Sequence, residues 1–172
     1  MGNNNEFKIP FVGLKNRVHH FNFEIDEKFF NRFDNNTINN CNVEVKVELE
    51  RREGFLIVLF YLDGHLFIDC DRCLDNYKQE IFGDYKLIVQ LGGKIIEDND
   101  NDDDIIVLDK NEDYIDFAKP IYDYILLSIP YQRVHSKIED CNKEVLDKMN
   151  DAKENKNKEI DPRWDILNKL KK

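Results

Sequence analysis

An α+β fold built mostly on an antiparallel sheet is predicted by three observations. Asn42 to Leu49 (NVEVKVEL) alternates strictly between polar and apolar residues, the signature of a half-buried strand. Phe55 to Tyr61 (FLIVLFY) is a continuous apolar run of strand length, rich in β-branched and aromatic residues. Helical spacing of apolar residues appears only late in the chain, after the strands. The sheet reads as a meander able to close partly into a barrel, with one packed core helix and a short C-terminal helix.

Taken in order, Val18 to Ile25 (VHHFNFEI) mixes apolar and polar residues at near-alternate positions, and reads as the first strand before the one at 42–49. After Phe55 to Tyr61, Asp63-Gly64 reads as a hairpin turn leading into Leu66-Phe67-Ile68. Alternation resumes through Tyr77, Glu80 and Phe82 and runs into Tyr85 to Leu91. Four or five strands with short connections imply an antiparallel meander. Ile105 to Leu108 and Tyr114 to Phe117 add two short strand-like pieces. Pro120 suits the first turn of a helix whose stripe is Ile121, Tyr124, Ile125, Leu127 and Ser128, and Pro130 ends it. Residues 142–159 are mostly Lys, Asn, Asp and Glu, as in a mobile linker or a marginal helix. A final amphipathic segment has Asp161 as N-cap, Pro162 at the first helical position, and Trp164, Leu167 and Leu170 on one face.

The 172 residues therefore divide into a single α+β domain over 1–141, a polar linker over 142–160 and a helical tail over 161–172. With 41% hydrophobic and 12% aromatic residues the chain can build a core despite 35% charged residues. No run reaches the ~20 apolar residues of a membrane helix, and the start MGNNNEF lacks the basic and apolar regions of a signal peptide, so the expected location is the cytoplasm, with no membrane partner. The net charge of -10 is local: between Glu97 and Asp116 ten acidic residues face the single Lys110. The loop at 97–113 is accordingly expected to be solvated and to repel nucleic acid. A mildly basic region occurs only from Lys143 to Lys172, so no basic groove for DNA is present.

Catalytic signatures are missing. There is no G-x-S-x-G and no H-E-x-x-H; Gly92-Gly93-Lys94 is followed by Ile95 where a phosphate loop needs Ser or Thr. The acids from Asp98 to Asp109 imitate a calcium loop in spacing, yet Asp103 stands where a glycine must turn and the preceding YKLIVQL is strand. The chain is expected not to be an enzyme. Cys70-Asp71-Arg72-Cys73 is the sharpest local feature, since a C-x-x-C turn brings two thiolates near enough to share a tetrahedral zinc ion. His135 and Cys141 are the remaining candidates for a Cys3His shell if the chain folds back. Three readings stay open: a zinc site, a buried structural pair with Arg72 serving an interface, and a redox pair. The last is disfavoured because the motif opens no helix of a βαβ unit. No cofactor other than zinc is suggested. Two readings stay open for the tail: Trp164 and Arg163, of the residue types that carry binding energy, form with Leu167 and Leu170 a docking element, or Trp164, Leu167 and Leu170 pack on the sheet of the same chain.

Four motifs in order, Leu66-Phe67-Ile68-Asp69-Cys70-Asp71-Arg72-Cys73-Leu74, Tyr114-Ile115-Asp116-Phe117, Ile125-Leu126-Leu127-Ser128-Ile129-Pro130 followed by His135 and Cys141, and Asp161-Pro162-Arg163-Trp164, resemble those of the YceD family of large-ribosomal-RNA-subunit accumulation proteins. The resemblance covers about the last two thirds of the chain. It implies a non-enzymatic factor that supports large-subunit assembly and accumulation of its RNA by binding either that RNA or a basic large-subunit ribosomal protein. An acidic adaptor can hold a strongly basic ribosomal protein by charge complementarity; alternatively the mildly basic tail touches RNA while the acidic loop points away. The alternative is a zinc- or thiol-dependent adaptor module unrelated to ribosomes.

Overall fold

The computed structural model describes residues 6–33, 35, 38, 40–92, 104–109 and 111–156. They form two compact units. The first takes its residues from positions up to Ile68 and from Lys78–Tyr131, the second from Asp69–Tyr77 and from Gln132 onward.

In the first unit, β2 (Val18–Ile25), β3 (Asn40–Arg51), β4 (Phe55–Asp69), β5 (Asn76–Leu91) and β6 (Asp104–Leu108) lie side by side in that order, and β1 (Lys8–Pro10) pairs with β7 (Tyr114–Asp116). β4 ends in the second unit and β5 begins there. The expected α+β class holds, with an open strand order and no closed barrel among the described residues. Alternation explains β3: Cys41, Val43, Val45, Val47 and Leu49 are buried while Asn40, Asn42, Glu44 and Lys46 are exposed. β2 runs antiparallel to β3, and β3 to β4.

Two expectations about connections are corrected. Asp63-Gly64 is no hairpin turn: β4 runs unbroken through it, pairing Asp63 with Glu44 and Gly64 with Val43. Gly64 falls on the inward parity of β4, where a Cβ would stand 2.3 Å from the Asn42 carbonyl oxygen and 2.6 Å from the Val43 Cα. Glycine is there to let two backbones approach, its other common meaning inside a strand. The β3–β4 turn is made by Arg52, Glu53 and Gly54, the glycine at φ 85° and Arg52 N–H donating to the Phe55 carbonyl at 3.0 Å. Nor is the sheet a pure meander. β6 pairs parallel to β5, with Leu87 opposite Asp104 and Leu91 opposite Leu108.

Helix α1 (Glu27–Asn31), which the sequence pattern did not reveal, is N-capped by Asp26, whose carboxylate accepts from Lys28 N–H at 3.0 Å. It buries Phe29 and Phe30. Helix α2 (Ala118–Leu127) has Pro120 in its first turn and buries Ile121, Tyr124 and Ile125. Leu127, expected in that stripe, is instead 68% exposed, since the helix ends there with Ser128 as its C-cap. Phe60 of β4 sits against Phe117 and Tyr124, and Tyr124 stacks on Tyr85 at 4.4 Å. These aromatics form the centre of the core.

In the second unit, helix α3 (Lys143–Lys156) occupies most of the polar stretch at 142–160. Asn142 caps it, its side-chain oxygen accepting from Glu144 N–H at 3.1 Å. The acidic residues 97–103 and the tail at 161–172, with Arg163, Trp164, Leu167 and Leu170, lie outside the described residues.

Candidate metal centre

The turn from Cys70 to Leu74 is fastened by its own backbone. Leu74 N–H donates to the Cys70 carbonyl at 2.9 Å, and Cys70 N–H to the Asp75 carbonyl at 2.9 Å. Leu74 holds a left-handed φ of 63°, unusual for a residue with a side chain and typical of strain kept at a functional turn. A second strand of chain is clamped alongside. Asp71 N–H donates to the Arg133 carbonyl at 2.7 Å, while the Asp71 carboxylate accepts from Arg133 N–H at 3.0 Å and from its guanidinium at 2.9 Å. This clamp delivers His135 two residues later, and the short 3-10 turn Ile138–Asp140 then brings in Cys141.

The result is a cluster of four donors. One ligand atom from each of Cys70, Cys73, His135 and Cys141 lies within 4.8 Å of all the others. The His135 Nδ1 is 3.6 Å from the Cys73 sulfur and 3.6 Å from the Cys141 sulfur. A tetrahedral zinc with bonds of about 2.3 Å to sulfur and about 2.0 Å to nitrogen sets those atoms roughly 3.5 Å apart. The donor set and its spacing thus fit a metal ion of that kind. The four residues suggested by the sequence are the four that the fold brings together. Tyr77 lies against the His135 ring at 4.9 Å and helps fix its orientation.

Electrostatics favour a thiolate at Cys70. Burial pushes its thiol up, but backbone N–H groups of His135, Arg72 and Cys73 outweigh this and hold it at about 6. Burial, then the neighbouring Cys73, push Cys141 up to about 11. Arg72 is half-buried, donates Nη2 to the His135 carbonyl at 2.5 Å, and leaves its Nε buried without a hydrogen-bond partner among the described residues. A lowered thiol pKa also suits redox chemistry. Burial of all three sulfurs argues against it, because a reactive thiol must meet its partner. Cys41, the fourth cysteine, is elsewhere: it is buried in the first unit, its thiol 3.8 Å from the Ile25 carbonyl and pushed up to about 11, chiefly by burial.

Sequence reasoning missed the parts that assemble the site. Arg133, Tyr77, and the apolar Val134, Val145 and Leu146 packed on the three cysteines carry no local motif; a signal existed only in the apolar pair of α3, set in an otherwise polar segment.

The profile of the family described as large ribosomal RNA subunit accumulation protein YceD matches residues 58–171, about two thirds of the chain, and spans all four donors. The chain belongs to the YceD family. That membership places it among proteins tied to accumulation of large-subunit ribosomal RNA. No curated protein and no solved structure matches it, and no helix among its described residues is long and apolar enough to cross a membrane.

Proposed function

We propose that this YceD-family chain is a cytoplasmic, non-enzymatic factor that supports assembly of the large ribosomal subunit, and that a structural zinc ion fastens its second unit. The family match over residues 58–171 carries the first part. A net charge of -10 favours a basic ribosomal protein over bare RNA as the direct partner, since like charges repel and opposite ones steer encounter.

Zinc is supported by the donor set and by what surrounds it. Among the described residues of the second unit, Cys70, Cys73 and Cys141 are the only buried side chains. A unit so small cannot be held by apolar burial alone, and metal binding then supplies folding free energy. Three thiolates and a neutral imidazole around a dication leave one negative charge, and the Arg72 guanidinium lies close enough to lower the Cys141 thiol's pKa against the effect of burial. Arg163, Trp164, Leu167 and Leu170 supply a docking segment in the same reading.

Depletion of the protein in its own cells is the decisive test. Mature large-subunit RNA should fall relative to small-subunit RNA; unchanged subunit profiles in warm and cold growth would refute the assembly role and leave a zinc-bound module without a ribosomal task. Trp164, the only tryptophan, tests the tail. Its emission should shift to the blue when large-subunit precursor is added, and emission already blue in the free protein would end the docking role.

A further inference from the structure

The solvent face of the five-stranded sheet carries an arrangement that folding alone does not explain. Register sets Glu24 of β2 opposite Glu44 of β3, and Glu44 opposite Asp63 of β4, so three carboxylates form one row across three strands. Like charges directly opposed in a sheet are destabilising. Beside this row lies a depression of about 460 Å³ bordered by Glu44, Lys46, Tyr61, Asp63, Phe82 and Asp84. Three carboxylates there face one cation, and Lys46 is already engaged with Glu44 at 3.6 Å. Phe82 is 79% exposed and Tyr61 37% exposed, so both rings that border the depression are open to solvent.

We propose that this face docks an extended, Arg- and Lys-rich segment of a partner protein, its cationic side chains seated between the carboxylates and the rings of Phe82 and Tyr61. Charge and shape choose the occupant. Carboxylates in a row repel a phosphate backbone, which removes nucleic acid. A single metal ion is a poor fit, because among the described residues the one group of donors converging at ligand distance is the Cys3His cluster. Adjacent strands stand about 4.8 Å apart, so the row spans roughly 10 Å, long enough for two successive same-side residues of an extended chain. Exposed aromatic rings add cation–π attraction, stronger for guanidinium because it can also stack. Tyr61 already feels the negative surroundings: burial, then Glu48 and Asp84, raise its phenol pKa. A cationic segment relieves the repulsion built into the row, so its binding is linked to stability of the sheet.

The inference deepens the assembly reading by naming the partner's chemistry, and rests on it only for the cellular setting. The test is a titration of the full chain with a synthetic peptide of about twelve residues alternating Arg or Lys with glycine, and in parallel with a single-stranded RNA of similar length, at low and at physiological salt. The peptide should bind and the RNA should not. Asp63→Asn with Asp84→Asn should weaken peptide binding about tenfold, or ~1.4 kcal/mol, and Phe82→Ala should weaken it several-fold. Asp100→Asn with Asp102→Asn, in the acidic stretch away from this face in sequence, should change it little. Glu44→Gln should weaken binding while leaving the melting temperature of the free protein equal or higher, a combination that a purely structural role for Glu44 does not produce. Absence of peptide binding, equal binding by the Asp63/Asp84 double variant, or preference for RNA would each overturn the docking face. If depletion still lowers large-subunit RNA in that event, the assembly role survives and only this surface falls.

Discussion

Replacing Gly64 with alanine tests the reading of β4 as one unbroken strand. The new Cβ would sit 2.3 Å from the Asn42 carbonyl oxygen and 2.6 Å from the Val43 Cα, both backbone atoms that no side-chain rotation can move. Ordinary carbon–oxygen contact needs about 1 Å more, so β3 and β4 must part locally by about that distance. Hydrogen bonds stretched this far are lost. Two flanking ladder bonds at about 0.5–1.5 kcal/mol each, together with an overpacking cost of about 1–3 kcal/mol, are offset by about 0.4–1 kcal/mol from a stiffer unfolded chain. The net expectation is a loss of roughly 2–4 kcal/mol, or a melting temperature lower by about 5–15 °C for a chain of this length. Gly54→Ala is the comparison: nothing lies within 4 Å of its Cβ, and the cost is the left-handed φ of 85° alone, about 1–2 kcal/mol. Urea unfolding followed by far-ultraviolet circular dichroism measures both. A turn at Asp63-Gly64 would reverse the order, so a Gly54 variant that loses as much as the Gly64 variant, or more, refutes the strand assignment.

Protein purified without chelator should contain about one zinc per chain by elemental analysis; Cys70→Ser or Cys141→Ser should abolish it, whereas Cys41→Ser, in the other unit, should leave the content unchanged. Leu74→Gly should raise stability by about 1 kcal/mol in denaturant titrations, because glycine removes the strain of the φ of 63°, and a loss of stability would mean that the exposed leucine side chain is needed for packing. Tyr124→Phe should cost about 1.5–3 kcal/mol, the value of a hydrogen bond to a carboxylate, here Asp104 at 3.0 Å. Tyr124→Ala should cost about 3–5 kcal/mol, since it also removes the ring between Phe60 and Tyr85.

The parts legible in the sequence were those with a short period. Polar–apolar alternation located β2 and β3, and the same pattern from Tyr77 to Leu91 gave β5, because each strand is half-buried and its neighbours enforce the period of two. Glycine was ambiguous. Asp63-Gly64 has the composition of a turn, and only the register against Asn42 and Val43 shows that it serves close backbone approach, while the less conspicuous Arg52-Glu53-Gly54 makes the actual hairpin. The five residues of α1 are too few to show a helical period, and the direction in which β6 pairs with β5 leaves no mark on the composition of either strand. At the candidate site the C-x-x-C half was visible at once. Its other half depended on the Asp71–Arg133 clamp, a contact across 62 positions that no local pattern encodes.

The two units rest on different kinds of cohesion, and this bears on how the protein can work. In the first unit Phe30, Phe60, Phe117, Leu49, Leu56 and Ile121 are all fully buried, each contributing about 1.5–3 kcal/mol against exposure, so that unit can tolerate a row of opposed carboxylates on its outer face. Among the described residues of the second unit the buried side chains are Cys70, Cys73 and Cys141, so its order is expected to depend on what those cysteines and His135 hold. Removal of a metal from that cluster is expected to loosen the C-x-x-C turn and α3 first, since none of the fully buried residues of the first unit belongs to the cluster. Glu44, Asp63 and Asp84 belong to the first unit, so variants of the proposed docking face and variants of the Cys3His cluster alter different units. The proposed partner capture and the integrity of the second unit are therefore expected to respond to different variants of the same chain.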